Sequence, residues 1–269
     1  LPLRAERESL SLPFVSLQKT KRTKPITYKH GDKFIQITSP EKYGIATIFD
    51  FDVILYMCSQ LSLLVEQGDK NPPKTMRVPL YSMLKKIGRT TTGADYRAIR
   101  KSIKRLAATV IETSIGPTET GPTEIFHWLE QGSLPELKPK DARVILTLPD
   151  WLYNAVVKER RILAVPPEYF SLTGGIERFM WRVSRRHGGN TKTQPGGWRM
   201  TMKELWDRSG SSDRKANFAL TVRRIVRENK LPGYDLSCFR GSSGDEIVTM
   251  IPKATSIRDR RLRDIKLPD

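Results

Sequence analysis

The sequence predicts an α+β protein made of two tandem winged-helix domains, each a helix-turn-helix followed by a β-hairpin wing. Three observations predict it. The first half reads helix, short helix, turn, basic helix, β-hairpin, the chain order of a winged helix-turn-helix unit. The second half repeats that order at an offset of 122 residues. The net charge is +18 over 269 residues, and both halves carry it: 23 Lys/Arg against 15 Asp/Glu up to Pro149, and 24 against 14 beyond.

Residues 1–25 are rich in Ser, Lys and Pro, with the run Lys19-Thr-Lys-Arg-Thr-Lys24, and read as a flexible basic arm. The chain starts Leu1-Pro2-Leu3 without Met and reads as a trimmed fragment. The first winged-helix domain is expected over 26–149. Ile26–Tyr28 and Phe34–Thr38 are strand-like runs around a His30-Gly-Asp32 turn, and Ile45–Phe49 is a further short strand. From Asp50 to Gln67, Val53, Ile54, Met57, Leu61 and Leu64 recur at helical spacing, with Gly68 as a stop. Pro72-Pro73 marks a loop. A short helix follows over Val78–Ile87, ended by Gly88, and Thr90-Thr-Thr-Gly-Ala-Asp95 supplies capping residues for a long helix over Ala94–Val110. Its apolar stripe is Tyr96, Ile99, Ile103, Leu106 and Val110. Three β-like segments come next: Val110–Ile115, Ile125–Leu129 and Val144–Leu148. Gly116–Thr123 is the tip of the hairpin wing, and Gly132–Asp141 is a loop rich in Pro and charge.

The second domain is expected over 150–252, with Pro139–Leu152 connecting the two and 253–269 as a basic tail. The 122-residue offset pairs Ile54 with Ile176, Leu61 with Val183, Gly88 with Gly210, Tyr96 with Phe218, Lys101 with Arg223, Ile103 with Ile225 and Arg105 with Arg227. Gly175–His187 is thus a second opening helix, Thr201–Ser209 a second short helix, and Asp213–Asn229 a second basic helix. The turn Leu231-Pro-Gly233 leads into strands Tyr234–Phe239 and Glu246–Ile251 around a Gly241-Ser-Ser-Gly244 tip. Core, glycine and basic positions shift in one register, which single chance matches do not do.

A basic excess of this size points to a polyanion, nucleic acid before an anionic membrane surface. No apolar run approaches the roughly 18–20 residues of a membrane span. Cys58 and Cys238 are isolated, which gives neither a disulfide framework nor a zinc cluster and suits a reducing cytoplasm. There is no Gly-x-x-x-x-Gly-Lys-Ser/Thr loop for an ATP-driven helicase and no Gly-x-Ser-x-Gly elbow. His30, His127 and His187 are scattered, which argues against histidine-pair nicking enzymes and zinc catalysis. Asp50-Phe-Asp52 is the nearest acidic pair, at a helix start where Asp serves capping better than metal binding. No enzyme activity, catalytic residue, metal or cofactor is expected.

The case for DNA rests on the two basic helices. Six Lys/Arg lie between Arg89 and Arg105, and seven between Arg208 and Lys230. Such cations neutralise phosphates, and Arg can pair with guanine. Residues near each helix start reach furthest into a groove. The candidate DNA-binding residues are therefore Arg89, Thr91, Thr92, Arg97, Arg100, Lys101 and Lys104 in the first unit. In the second they are Ser212, Arg214, Lys215, Asn217, Thr221 and Arg224, with Arg240 beside the wing tip. The first tip holds Glu119 and no cation, so it would repel phosphate and faces elsewhere. Arg178, Arg182, Arg185 and Arg186 on the second opening helix either touch DNA backbone or are solvated. Trp128, Trp151, Trp181, Trp198 and Trp206 read as core anchors.

Four segments then carry a resemblance: Lys24-Pro-Ile-Thr-Tyr28, Tyr43-Gly-Ile-Ala-Thr-Ile-Phe-Asp-Phe-Asp-Val53, Leu148-Pro-Asp-Trp-Leu-Tyr153 and Phe170-Ser-Leu-Thr-Gly-Gly-Ile-Glu-Arg-Phe179, with the Leu231-Pro-Gly-Tyr234 turn. Over roughly Pro13–Pro252 the sequence resembles the replication initiator protein A family of bacterial plasmids. The resemblance implies a non-enzymatic initiator built from two winged-helix domains. It would bind repeated sites (iterons) in double-stranded plasmid origin DNA, help open the duplex and recruit host replication initiator and helicase proteins. Many initiators of this broad class also repress their own gene, often as homodimers. The implied location is the bacterial cytoplasm, with nucleoid or plasmid. A winged-helix transcriptional repressor without a replication role is the alternative, and a strand-processing primase or nickase the third class.

Overall fold

A computed structural model describes residues 3–6, 10–115, 123–134, 142–188 and 196–253. The predicted tip Gly116–Thr123 lies outside the described residues but for Thr123, as does the tail apart from Lys253. The chain divides into two units, one holding residues 1–9 and Pro13–Ser171, the other Leu10–Leu12 and Leu172–Asp269.

In chain order the first unit contains β1 (Leu3–Glu6), β2 (Ile26–His30), β3 (Lys33–Thr38), α1 (Asp52–Glu66), β4 (Thr75–Pro79), α2 (Leu80–Lys86) and α3 (Gly93–Ala108). It continues with β5 (Val110–Thr113), β6 (Glu124–His127), β7 (Gln131–Ser133), β8 (Arg143–Thr147), α4 (Asp150–Val157), β9 (Ile162–Val165) and a 3-10 turn at Pro167–Ser171. The second unit contains α5 (Gly175–His187), β10 (Trp198–Thr201), α6 (Met202–Ser209), α7 (Lys215–Glu228), β11 (Tyr234–Arg240) and β12 (Glu246–Pro252).

Both units share one plan: helix, strand, two helices, two strands. The three strands form antiparallel sheets in the orders β4-β8-β7 and β10-β12-β11. Corresponding registers quantify the repeat. Met76 faces Leu146 across β4 and β8, and Trp198 faces Met250 across β10 and β12. Gly132 also faces Leu146, and Leu236 also faces Met250. The offset is thus 122 at the first strand and 104 at the last two. Between its matching first strand and last two strands the first unit therefore holds 18 more residues, the length of the Val110–His127 hairpin β5–β6.

That hairpin joins a different sheet, β2-β3-β5-β6. Ile37 pairs with Ile111, and Ile111 with Phe126. The expected wing over Val110–Leu129 is therefore corrected. The hairpin equivalent to β11–β12 is β7–β8, and its connection, 135–141, lies outside the described residues. The loop expected from Gly132 begins inside β7.

The boundary also moves, from Pro149 to Ser171. Residues expected to connect the units are β8 and the start of α4. α4 packs on α1, and β9 pairs with β1. Residues 10–25 are not a free arm. Leu10, Phe14, Val15 and Leu17 are buried, and Ser16 bridges Thr47. Ile45–Phe49 is no strand beyond that bridge, because Asp50 accepts from the Thr47 amide (2.8 Å) and closes a turn.

Local chemistry sets the helix ends. Gly88 (φ +70°) follows α2 and Gly210 (φ +59°) ends α6, both left-handed positions that a side chain would strain. A Cβ on Gly88 would also stand 3.0 Å from the Phe170 Cβ. The first core centres on Trp128, fully buried, with Phe51 edge-on at 4.8 Å, Trp151 at 5.7 Å and Phe14 at 6.2 Å. In the second, Trp181 is fully buried and donates its indole N–H to the Pro232 carbonyl (3.0 Å).

Candidate nucleic-acid interface

α3 separates its residues by face. Tyr96, Ile99, Ile103 and Leu106 are buried, while Arg97, Lys101 and Lys104 are exposed. The latter three stand at i, i+4 and i+7, so they form one stripe. Its start is a reciprocal capping box: the Thr92 hydroxyl accepts from the Asp95 amide, and the Asp95 carboxylate accepts from the Thr92 amide. Hydrogen bonds from the Thr90 and Thr92 hydroxyls hold the Asp95 carboxyl below its usual range. The Thr92 side chain is thus engaged in the cap. Thr91 is half-buried beside it.

Two arginines fix this helix from below. Arg105 donates two bonds of 2.6 Å to Asp50, whose side chain is almost fully buried. Burial alone would raise the Asp50 carboxyl. The Arg105 hydrogen bonds and charge, with Ser102 and the Thr47 amide, outweigh it and hold the carboxyl low. Arg89 donates to the Phe49 carbonyl (2.6 Å) and lies 3.5 Å from the buried Asp52 carboxylate. Arg89, expected on DNA, is therefore turned inward: the Asp52 charge and the Phe49 carbonyl satisfy it within the fold. Arg100 is half-buried and engaged. No group of three or more metal-ligating residues occurs among the described residues, and Asp50 and Asp52 each face an arginine.

α7 is built differently. Phe218, Ala219, Val222 and Ile225 are buried; Arg214, Lys215 and Asn217 are exposed at its start, preceded by exposed Ser212. The helix starts at Lys215 with Arg214 as its cap, so Asp213 lies outside it. The Thr221 hydroxyl donates to the Asn217 carbonyl one turn back (3.1 Å). Arg223 grips Glu246 of β12 through two bonds of 2.7 and 2.8 Å. Arg224, expected on DNA, is paired with Glu228 at 2.8 Å and lies 4.0 Å from Glu177. Arg240 is exposed at the end of β11. Sequence reasoning missed Leu220, which is 62% exposed. It breaks the buried spacing of Phe218, Val222 and Ile225 and lies one turn from Asn217 and Arg224. An apolar residue off the stripe was the available signal.

Arg178, Arg182 and Arg185 are buried, so neither a backbone contact nor free solvation describes them; Arg178 donates to the Leu172 carbonyl (2.9 Å). No described helix is long and apolar enough to cross a membrane.

The known proteins bear on this arrangement. The chain is similar to a protein of Wigglesworthia glossinidia brevipalpis named "Putative replication protein", 30% identical over 237 residues, 87% of this chain and 84% of that one. Two crystal structures of domains 2 and 3 of RctB share the fold. One, a selenomethionine form, has a TM-score of 0.60 at 16% identity over 88% of this chain and 94% of that one; the other scores 0.55 at 15% over 89% and 95%. The family model for replication initiator protein A matches residues 4–236. With a match over most of its length, the chain belongs to the replication initiator protein A family.

Proposed function

We propose that this chain is a plasmid replication initiator that binds repeated origin sites as double-stranded DNA. In this reading it promotes opening of the origin and recruits host replication proteins. Each unit acts as a winged helix: α3 and α7 enter major grooves, and β7–β8 and β11–β12 are the wings beside them. The observation that carries the reading is the exposed stripe Arg97, Lys101 and Lys104 on a capped helix after a short helix and turn. The shared strand order supports a repeated module.

On α7, Arg214 and Lys215 supply phosphate contacts at the helix start, while Asn217 and Leu220 carry chemistry for reading bases: an amide for adenine and an apolar group for the thymine methyl. The test supplies the protein in trans to a plasmid carrying only the origin of its replicon. Replication that requires the protein, with a footprint over directly repeated sites, is the expected result. A footprint that changes transcription while the origin replicates without the protein refutes the initiator reading in favour of a repressor.

A further inference from the structure

We infer that Lys19–Lys24, together with Lys42, forms a fixed cationic ribbon that grips DNA phosphates next to the α3 contact. This rests on the reading above, in which α3 meets DNA. The composition of the segment suggests a mobile tail; its bonding shows a braced one. The Ser16 amide donates to the Ala46 carbonyl (2.9 Å), and the Ile48 amide to the Ser16 carbonyl (2.8 Å). The Ile45 amide donates to the Arg22 carbonyl (2.8 Å). The Arg22 guanidinium folds back onto the carbonyls of Lys24 and Pro25, both at 3.1 Å. Gly44 has φ +74°, and a Cβ there would stand 2.5 Å from the Lys21 Cγ. Only glycine lets the Lys21 stem lie against that turn.

The partner segment, 44–50, is in turn tied to the α3 region at three points. The Ala46 amide donates to the Thr109 hydroxyl (2.8 Å), Asp50 holds Arg105, and the Phe49 carbonyl holds Arg89. Phe49 serves both sides: its ring lies 5.4 Å from the Lys19 ammonium, while its carbonyl anchors the residue that opens the turn into α3. The ribbon and α3 therefore move as one piece within the first unit.

What the ribbon presents is charge alone. Between Lys19 and Lys42 there are seven Lys/Arg against Asp32 and Glu41. Lys19, Lys21, Lys24 and Lys42 are exposed. The apolar residues around them, Leu17, Ile26, Ile45 and Ile48, are buried. Stable attachment to an anionic membrane gains from exposed apolar groups that insert beside the cations, and Lys19, Lys21, Lys24 and Lys42 have no such neighbours among the buried Leu17, Ile26, Ile45 and Ile48. Phosphates need only cations held in place, and here the ordering cost is met by the fold itself. The contact carries no sequence information: it raises affinity and fixes register, and α3 and α7 read the bases.

The experiment uses the full chain with Lys19→Gln, Lys21→Gln, Lys24→Gln and Lys42→Gln combined. Glutamine keeps the aliphatic stem at Gly44. A parallel variant carries Lys101→Gln and Lys104→Gln. Binding to a labelled mixed-sequence duplex of about 40 base pairs, roughly four helical turns, is measured across a salt series. The ribbon variant is expected to melt like the parent and to lose about 3–4 from the slope of log affinity against log salt. The same loss is expected on an origin fragment. An unchanged slope in the ribbon variant, with a shallower one in the α3 variant, overturns the ribbon and leaves the α3 reading standing. Unchanged slopes in both variants overturn both. Lost binding to phosphatidylserine vesicles with an unchanged DNA slope assigns the ribbon to membranes and overturns the proposal.

Discussion

Removing Asp50 strands a charge. Its side chain is 2% exposed; it accepts two 2.6 Å bonds from Arg105, itself 24% exposed, and one of 2.8 Å from the Thr47 amide. Asp50→Ala leaves a largely enclosed guanidinium and an amide without their acceptor, a loss of about 3–5 kcal/mol by analogy with other broken buried pairs. For a unit of this size that lowers the melting temperature by roughly 10 °C. Asp50→Ala with Arg105→Leu removes both charges and should recover at least half the loss, because the single variant is dominated by the uncompensated cation. Urea unfolding followed by tryptophan fluorescence reads both values. The carboxyl is held lower in the folded chain than in the unfolded one. Its contribution is therefore complete above the unfolded value of about 4 and fades as pH falls through the folded one. The stability gap between parent and Asp50→Asn should thus be constant above about pH 4 and start to narrow only below it. A single-variant loss under about 1 kcal/mol, or a double variant no better than the single, refutes the reasoning.

Thr92→Ala removes one half of the capping box and should lower stability by about 1 kcal/mol in the same urea assay. Gly210→Ala, at a left-handed helix end, is expected to cost about 1 kcal/mol, with Gly196→Ala, where a Cβ meets open space, as a near-neutral control. Lys101→Ala with Lys104→Ala should weaken binding to every duplex and flatten the salt slope by about 2. Leu220→Ala should instead leave the slope unchanged and reduce discrimination between origin and mixed-sequence DNA; an equal loss on both would place Leu220 outside base reading. The Cys238 thiol is pushed up to about 11 by burial and by the Glu246 carboxylate it donates to. Alkylation at pH 8 should therefore be slow and accelerate on Glu246→Gln, as followed by mass spectrometry.

What was legible in the sequence was local. α3 and α7 announce themselves by apolar residues at helical spacing, and Gly88 and Gly210 by their need for positive φ at equivalent ends. The β5–β6 hairpin was legible as two strands but not as to its sheet. Ile111 finds Ile37, more than seventy residues back, and nothing in either segment specifies that pairing over the one with β8. The offset of 122 hid the insertion, because it was fitted on helices that precede it. Residues 10–25 misled in the opposite direction. Lys19–Lys24 dominates their composition, while Leu10, Phe14, Val15 and Leu17, which decide the packing, are only four residues. For the site, a count of cations could not separate those that face outward from those that face a carboxylate. Asp50, Asp52, Glu177 and Glu246 are spread through the chain, and only the fold brings them to Arg105, Arg89, Arg224 and Arg223; Glu228 alone reaches Arg224 by its i, i+4 place on α7.

That redistribution changes what the two basic helices can do. On α3 the inward arginines are structural and the outward stripe keeps its three cations for a partner. On α7 the central arginines Arg223 and Arg224 are neutralised by carboxylates, and the outward surface between Asn217 and Arg224 is occupied by Leu220. That central stretch gains little from phosphates, since counterion release scales with the charges brought to the backbone, and exposed cations of α7 stand instead at its start, Arg214 and Lys215. An amide and an apolar side chain, by contrast, distinguish bases by donor pattern and by methyl contact. Under the proposed function this implies a division of labour: the first unit, with α3 and the ribbon, would supply most of the salt-sensitive affinity, and the second more of the discrimination. Near-equal charge in the two halves of the sequence conceals this, because net charge counts a cation in an ion pair the same as one that meets a phosphate.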